Sequence, residues 1–153
     1  MFKLIRTNSD HADYLELVKL LDADLKIRDG ADHAFFAQYN KSTDIRNVVL
    51  CYVDNTPAGC GAFKFFQKDI VEIKRMFVLD SFRKKGIASV ILEELEKWAV
   101  ELNYSNCILE TGKKQPEAIA LYLKNNYRVI PNYGQYAQVE NSVCMKKKVG
   151  SKQ

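Results

Sequence analysis

Between Ile70 and Leu102 the sequence IVEIKRMFVLDSFRKKGIASVILEELEKWAVEL changes its apolar rhythm from every second residue to every third or fourth. Period two belongs to a strand and period 3.6 to a helix. Only a short basic stretch separates the two regimes, and NCILETG after it returns to a strand-like composition. A strand–helix–strand unit therefore sits in the middle of the chain and commits it to a mixed α/β architecture.

The flanks extend this unit. FKLIRT reads as a first strand. DHADYLELVKLLDADLKIRDG is a helix with Tyr14, Val18, Leu21 and Leu25 on one stripe and Gly30 as its stop. HAFFAQYN is a second, short helix. NVVLCYV and GCGAFKFF are strands joined by the turn DNTPA, and they form an antiparallel hairpin. In IVEIKRMFVL strict alternation places Val71, Ile73 and Phe77 on one face with Arg75 interrupting them, and Glu72, Lys74, Met76 and Val78 on the other. The helix from Ile87 carries Ile91, Leu95, Trp98 and Leu102 on its apolar stripe. PEAIALYLKNN is a helix with Pro116 suited to its first turn. YRVI and NSVCMKKKV complete the order β-α-α-β-β-β-α-β-α-β-β. No linker, repeat or composition shift divides residues 1–153, which read as one domain.

The net charge of +4 is too mild and too scattered for a nucleic-acid binder. The basic tail over residues 145–153, MKKKVGSKQ, reads as a solvated strand edge. MFKLIRTNSD lacks the apolar centre of a signal peptide, and no run has the length of a membrane span. Cys51, Cys60, Cys107 and Cys144 are far apart and lie in apolar settings, as expected of buried reduced thiols. With His11 and His33 the sole histidines, a metal site is not expected. These features together point to a cytoplasmic location.

Arg83, Lys84 and Lys85 stand at the start of a helix, the end where cations oppose the dipole. An anion resolves the conflict, because the first turn of a helix offers unpaired N–H groups to phosphate. Gly86 brings the backbone close to such a ligand, and Ala88 is the next smallest choice.

The spacing Arg83-x-x-Gly86-x-Ala88 after MFVLDSF resembles the Arg/Gln-x-x-Gly-x-Gly/Ala loop of the GNAT N-acetyltransferase superfamily. The segment PEAIALYLKNNYRVI, with Ala118, Leu121, Tyr122 and Tyr127, is similar to that superfamily's Ala-x-x-Leu-Tyr-x-x-x-Gly-Phe/Tyr segment. Asn126 replaces the glycine there, and asparagine tolerates the left-handed turn that ends a helix. Gln115 stands where many members have an asparagine that contacts the cofactor.

The resemblance covers the whole chain. It implies a central mixed sheet with helices on both faces, and acetyl-CoA as the co-substrate without a metal. It implies contacts to acetyl-CoA from Met76, Phe77, Val78, Arg83, Lys84, Lys85, Gly86, Ile87, Ala88 and Gln115. Backbone N–H groups of residues 76–78 would hold the oxyanion. The implied partner is an amine attacked directly in a ternary complex, with neither nucleic acid nor membrane involved, and homodimers are common in the superfamily.

Glu72 occupies the position of the general base in several members. Desolvation between Val71 and Ile73 would raise its pKa, and Lys74 and Arg75 would oppose that. Tyr122 is the candidate general acid for the leaving thiolate. A covalent route would need an activated thiolate, for which no histidine partner is evident. A non-catalytic acyl-CoA-binding module remains the alternative, although it needs only the loop. For the acceptor, two segments stand out: His33, Phe35, Phe36, Gln38 and Tyr39 in one, and Asn132, Tyr133, Gln135 and Tyr136 in the other. Their aromatic faces suit an alkylammonium. Arg28 and Lys74 suit a carboxylate, and a small molecule is favoured as acceptor.

Overall fold

The structure is a computed structural model that describes residues 1–150. Its strands are β1 (Phe2–Thr7), β2 (Asn47–Val53), β3 (Thr56–Gln67), β4 (Ile70–Val78), β5 (Asn106–Gly112), β6 (Arg128–Ile130) and β7 (Ser142–Lys148). Its helices are α1 (Ala12–Asp29), α2 (His33–Ala37), α3 (Ile87–Glu101) and α4 (Pro116–Lys124), in the order the sequence predicts. The strands form one sheet in the order β1-β2-β3-β4-β5-β7-β6. Pairing is antiparallel except between β4 and β5. No helix among the described residues is long and apolar enough to cross a membrane.

Local chemistry accounts for the helix ends. The His11 imidazole accepts from the Asp13 N–H at 3.1 Å and caps α1, and Gly30 ends it at φ 54°. Asn126 adopts φ 72° after α4, the left-handed role expected of it.

Both faces of the sheet are covered, which explains the unbroken apolar run in NVVLCYV. Val49 and Cys51 point into a core shared with Ile91, Leu92 and Leu95 of α3 and Tyr122 of α4. Val48 and Leu50 point into a second core with Tyr14, Leu17 and Val18 of α1. The α3 stripe continues through the fully buried Ala99. Leu102 is half exposed, and Trp98 is only partly buried, beneath the Arg6 guanidinium at 5.0 Å from its ring.

Strict alternation in β4 does not hold. Cys60 pairs with Phe77 and Ala62 with Lys74, so two residues of β4, Arg75 and Met76, face the single Gly61. Arg75 takes φ 59° at this bulge. Val71 and Ile73 face the α3 core. Beyond the bulge Met76 and Val78 join that core, while Phe77 packs on the α1 side. A bulge reverses the parity of every residue after it. Gly59 lies under this segment, and a Cβ there would meet the Phe77 carbonyl oxygen at 2.8 Å. Gly59→Ala is expected to cost about 1–3 kcal/mol, measurable as a lower denaturation midpoint with an unchanged m-value.

The basic tail is not a solvated edge. β7 lies between β5 and β6, where Lys147 donates to the buried Glu96 at 2.8 Å and sits over the Tyr127 ring. Residues 151–153 of that tail lie outside the described residues.

Candidate active site

The loop before α3 carries two left-handed residues next to the helix start. A short turn over Asp80–Phe82 leads to Lys84 at φ 63° and Gly86 at φ 80°. The chain thus turns sharply just before the first turn of α3, whose N–H groups have no partner within the helix. Gly86 caps α3 without a side-chain acceptor, and no acidic residue lies in the first turn. A Cβ at Gly86 would meet nothing within 4 Å, so the position opens onto free space. The positive end of α3 thus lacks the internal anion that a helix start normally recruits.

That terminus opens into a cavity of about 540 Å³. Among the residues that the resemblance implies for acetyl-CoA, Met76, Phe77, Val78, Arg83, Lys84, Gly86, Ile87, Ala88 and Gln115 line it, together with Tyr122. Lys85 does not, and its ammonium lies 5.8 Å from the Phe82 ring. Arg83 is engaged locally: its Nε donates to the Val78 carbonyl at 2.9 Å and its Nη1 meets Asp80 at 2.7 Å. Parallel pairing of β4 with β5 ends at Glu72 and Ile108, after which β5 remains paired with β7. The strands splay from there, and residues 73–78 of β4 present that edge to the cleft. An extended chain with amide groups can add to such an edge as a further strand.

A smaller cavity of about 90 Å³ meets the first at Met76, Gln115, Ala118 and Tyr122 and runs inward to Asp29, Lys74, Arg75, Glu110 and Thr111. Tyr122 stands at the junction. Its ring packs edge-on against Tyr127 at 5.7 Å, and burial, then Glu110, pushes its phenol pKa up. Glu110 accepts from Ser142 Oγ at 2.7 Å. Burial is the main reason its pKa rises to about 7; the Ser142 bond and Lys74 oppose the rise. Burial also raises the pKa of Asp29, against the pull of His33 and Lys114.

Glu72 is buried but lines neither of these cavities. Its Oε2 accepts from Tyr133 Oη at 2.7 Å and its Oε1 lies 3.9 Å from Lys74 Nζ. Sequence reasoning passed over Glu110, whose one signal is an acidic residue at the end of the otherwise apolar strand CILE. The two aromatic segments do converge. Phe36 and Tyr136 share a buried cluster with Cys144, Tyr39 meets Tyr136 at 5.9 Å, and Tyr133 meets Tyr136 at 5.8 Å. Arg28 is committed to Asp24 and Glu117. All four cysteines are buried and free, and burial raises the Cys60 and Cys107 thiols to about 12 and Cys144 to about 11.

The helix terminus of α3 thus opens onto a cleft whose inner end holds a carboxylate and a phenol. A model of the acetyltransferase (GNAT) family matches residues 14–127, and the chain belongs to that family. It is 33% identical over 118 residues to an IAA acetyltransferase of Azospirillum brasilense, covering 76% of each chain. It is also 33% identical over 94 residues to the uncharacterised N-acetyltransferase YsnE of Bacillus subtilis, covering 60% of this chain and 62% of that one. In fold it is similar to a protein of Klebsiella pneumoniae described as an acyl-CoA N-acyltransferase, with TM-score 0.81, 24% identity and coverage of 97% and 98%. The PaiA N-acetyltransferase of Thermoplasma acidophilum, solved with coenzyme A, superposes with TM-score 0.69 at 16% identity over 97% and 99% of the two chains.

Proposed function

We propose that this protein transfers the acetyl group of acetyl-CoA to a primary amine of a small molecule, by direct attack within a ternary complex. The observation that carries the reading is the continuous path from the Lys84–Gly86 cradle, along the open edge of β4, to Tyr122 and Glu110. The residues fit the group: the cradle suits a pyrophosphate, the β4 edge suits the amides of a pantetheine arm, and a neighbour of the same fold is solved with coenzyme A.

When bound, acetyl-CoA supplies a thioester carbonyl open to a nucleophile. Backbone N–H groups of residues 76–78 stabilise the charge that develops on its oxygen. Glu110 takes the proton from the amine as nitrogen bonds to the carbonyl carbon, a task matched by its pKa near neutrality. Tyr122 Oη gives its proton to the sulfur as the carbon–sulfur bond breaks and the electron pair departs with sulfur. Exchange with solvent then restores both groups. Glu110 is assigned as the base in place of Glu72, which is held by Tyr133 and Lys74 and lines neither cavity. A covalent relay through a cysteine would need a thiolate, and burial works against one at all four thiols.

A module that merely binds acyl-CoA would have no use for a carboxylate held near pH 7 beside a buried phenol. The test is release of free thiol from acetyl-CoA across a panel of amines, in wild type and Tyr122→Phe. The variant is expected to lose on the order of 10²- to 10⁴-fold in kcat while its Kd for acetyl-CoA is unchanged. Equal kcat would remove Tyr122 from the chemistry, and thiol release with no amine of the panel would favour the binding module.

A further inference from the structure

The smaller cavity has a cationic wall formed by Lys74 and Arg75. Arg75 lies at the bulge with φ 59°, a region that residues other than glycine seldom adopt. The bulge puts Lys74 and Arg75, neighbours in sequence, toward the same side of the sheet, where both reach the α2 end: Lys74 Nζ donates to the Tyr39 carbonyl at 3.0 Å and Arg75 Nη1 to the Asn40 carbonyl at 2.7 Å. Arg75 Nη2 pairs with Asp22, and the Arg75 side chain is only 1% exposed. Its Nε–H is buried and has no partner. A buried guanidinium donor left unpaired is costly and calls for an acceptor.

We propose that Arg75, assisted by Lys74, binds a carboxylate of the acceptor, so that the amine acetylated at this site belongs to a free amino acid. The inference rests on the acetyl-transfer reading above and adds the acceptor's class. Both cations line the cavity of about 90 Å³. Glu110 and Tyr122 line the same cavity, at its junction with the larger cleft for Tyr122. An α-amino acid carries its amine and carboxylate on one carbon, which suits a pocket that offers a proton acceptor and a guanidinium together. Leu21, Leu25 and Phe36 supply apolar wall for the rest of the molecule. Guanidinium is the group best shaped for a carboxylate, and the charge-assisted bond is strong where water is excluded. Asp22 balances Arg75 from a half-exposed position, so the guanidinium is neutralised from outside while its Nε stays unpaired.

The common amino acids are assayed for thiol release from acetyl-CoA, each beside its carboxamide and its decarboxylated amine. At least one amino acid is expected to exceed both analogues by roughly 30-fold or more in kcat/KM. Arg75→Lys is expected to raise KM for that amino acid with little change in kcat, and to leave the amide's KM near the wild-type value. A second readout needs no turnover: the Arg75 Nε–H signal in nitrogen-15 NMR of the CoA-bound protein should shift on adding the amino acid and stay put with its decarboxylated amine. Amides or simple amines used as well as amino acids, or an Arg75 signal that does not respond to a bound amino acid, would overturn the proposal and leave acetyl transfer standing. Tight acetyl-CoA binding without transfer to any amine would overturn both.

Discussion

Glu110→Gln is expected to lower kcat/KM by on the order of 10²- to 10⁴-fold, the contribution of a positioned general base. The wild-type profile should rise with pH through about 7, where Glu110 loses its proton, and the variant should lose that limb. Glu72→Gln should retain it, because Glu72 lies outside the lining of both cavities. If Glu72→Gln abolishes the limb and Glu110→Gln keeps it, the two roles are reversed. The same shift makes a stability prediction. Burial raises the Glu110 pKa from 4.5 to about 7, so the fold favours the protonated form. The stability this confers is complete below the unfolded value and is lost as pH climbs to the folded one, on the order of 3 kcal/mol in all. Glu110→Gln removes that penalty, so the variant should be more stable than wild type at pH 8 and closer to it at pH 5. Chemical denaturation at the two pH values reads the difference.

The second large effect is at the cradle. Gly86→Glu places a carboxylate at the N-terminus of α3, in the free space a Cβ would enter. A negative charge there suits the helix dipole, whereas φ 80° strains any residue with a Cβ by about 1–2 kcal/mol, so the fold should survive. Repulsion of the pyrophosphate should weaken acetyl-CoA binding at least 100-fold, about 3 kcal/mol. Gly86→Ala carries the strain without the charge and should bind within roughly tenfold of wild type. A Gly86→Ala loss as large as that of Gly86→Glu would mean that backbone shape, not charge, governs the cradle.

The sequence made the order of elements legible because each run keeps its own period and has a chemical stop, such as Gly30 after α1 or Asn126 after α4. The cradle was legible too, since a basic loop at a helix start contradicts the dipole and asks for an anion. What stayed hidden depends on non-local pairing. The β4 bulge has no glycine within its own strand, because the left-handed residue is Arg75, and the parity of Met76, Phe77 and Val78 turns on it. The lysines of β7 read as an edge because nothing local reveals that β6 pairs outside them. Glu110 escaped notice because its proton affinity comes from burial beside Ser142, Lys74 and Asp29, which lie far from it in the chain. Glu72 and Lys74 pair along their strand face, as their spacing suggests, while the bond Glu72 accepts from Tyr133 joins two segments far apart in the chain.

The most direct test of the account is titration calorimetry of the protein with acetyl-CoA and, in parallel, with S-acetylpantetheine, which keeps the thioester and the amide arm and lacks the pyrophosphate. Binding that falls by roughly 100-fold or more without the pyrophosphate is the predicted result, because the Lys84–Gly86 backbone and the α3 terminus are built around that group. Equal affinity for the two compounds, or no binding of acetyl-CoA at millimolar concentration, would contradict it.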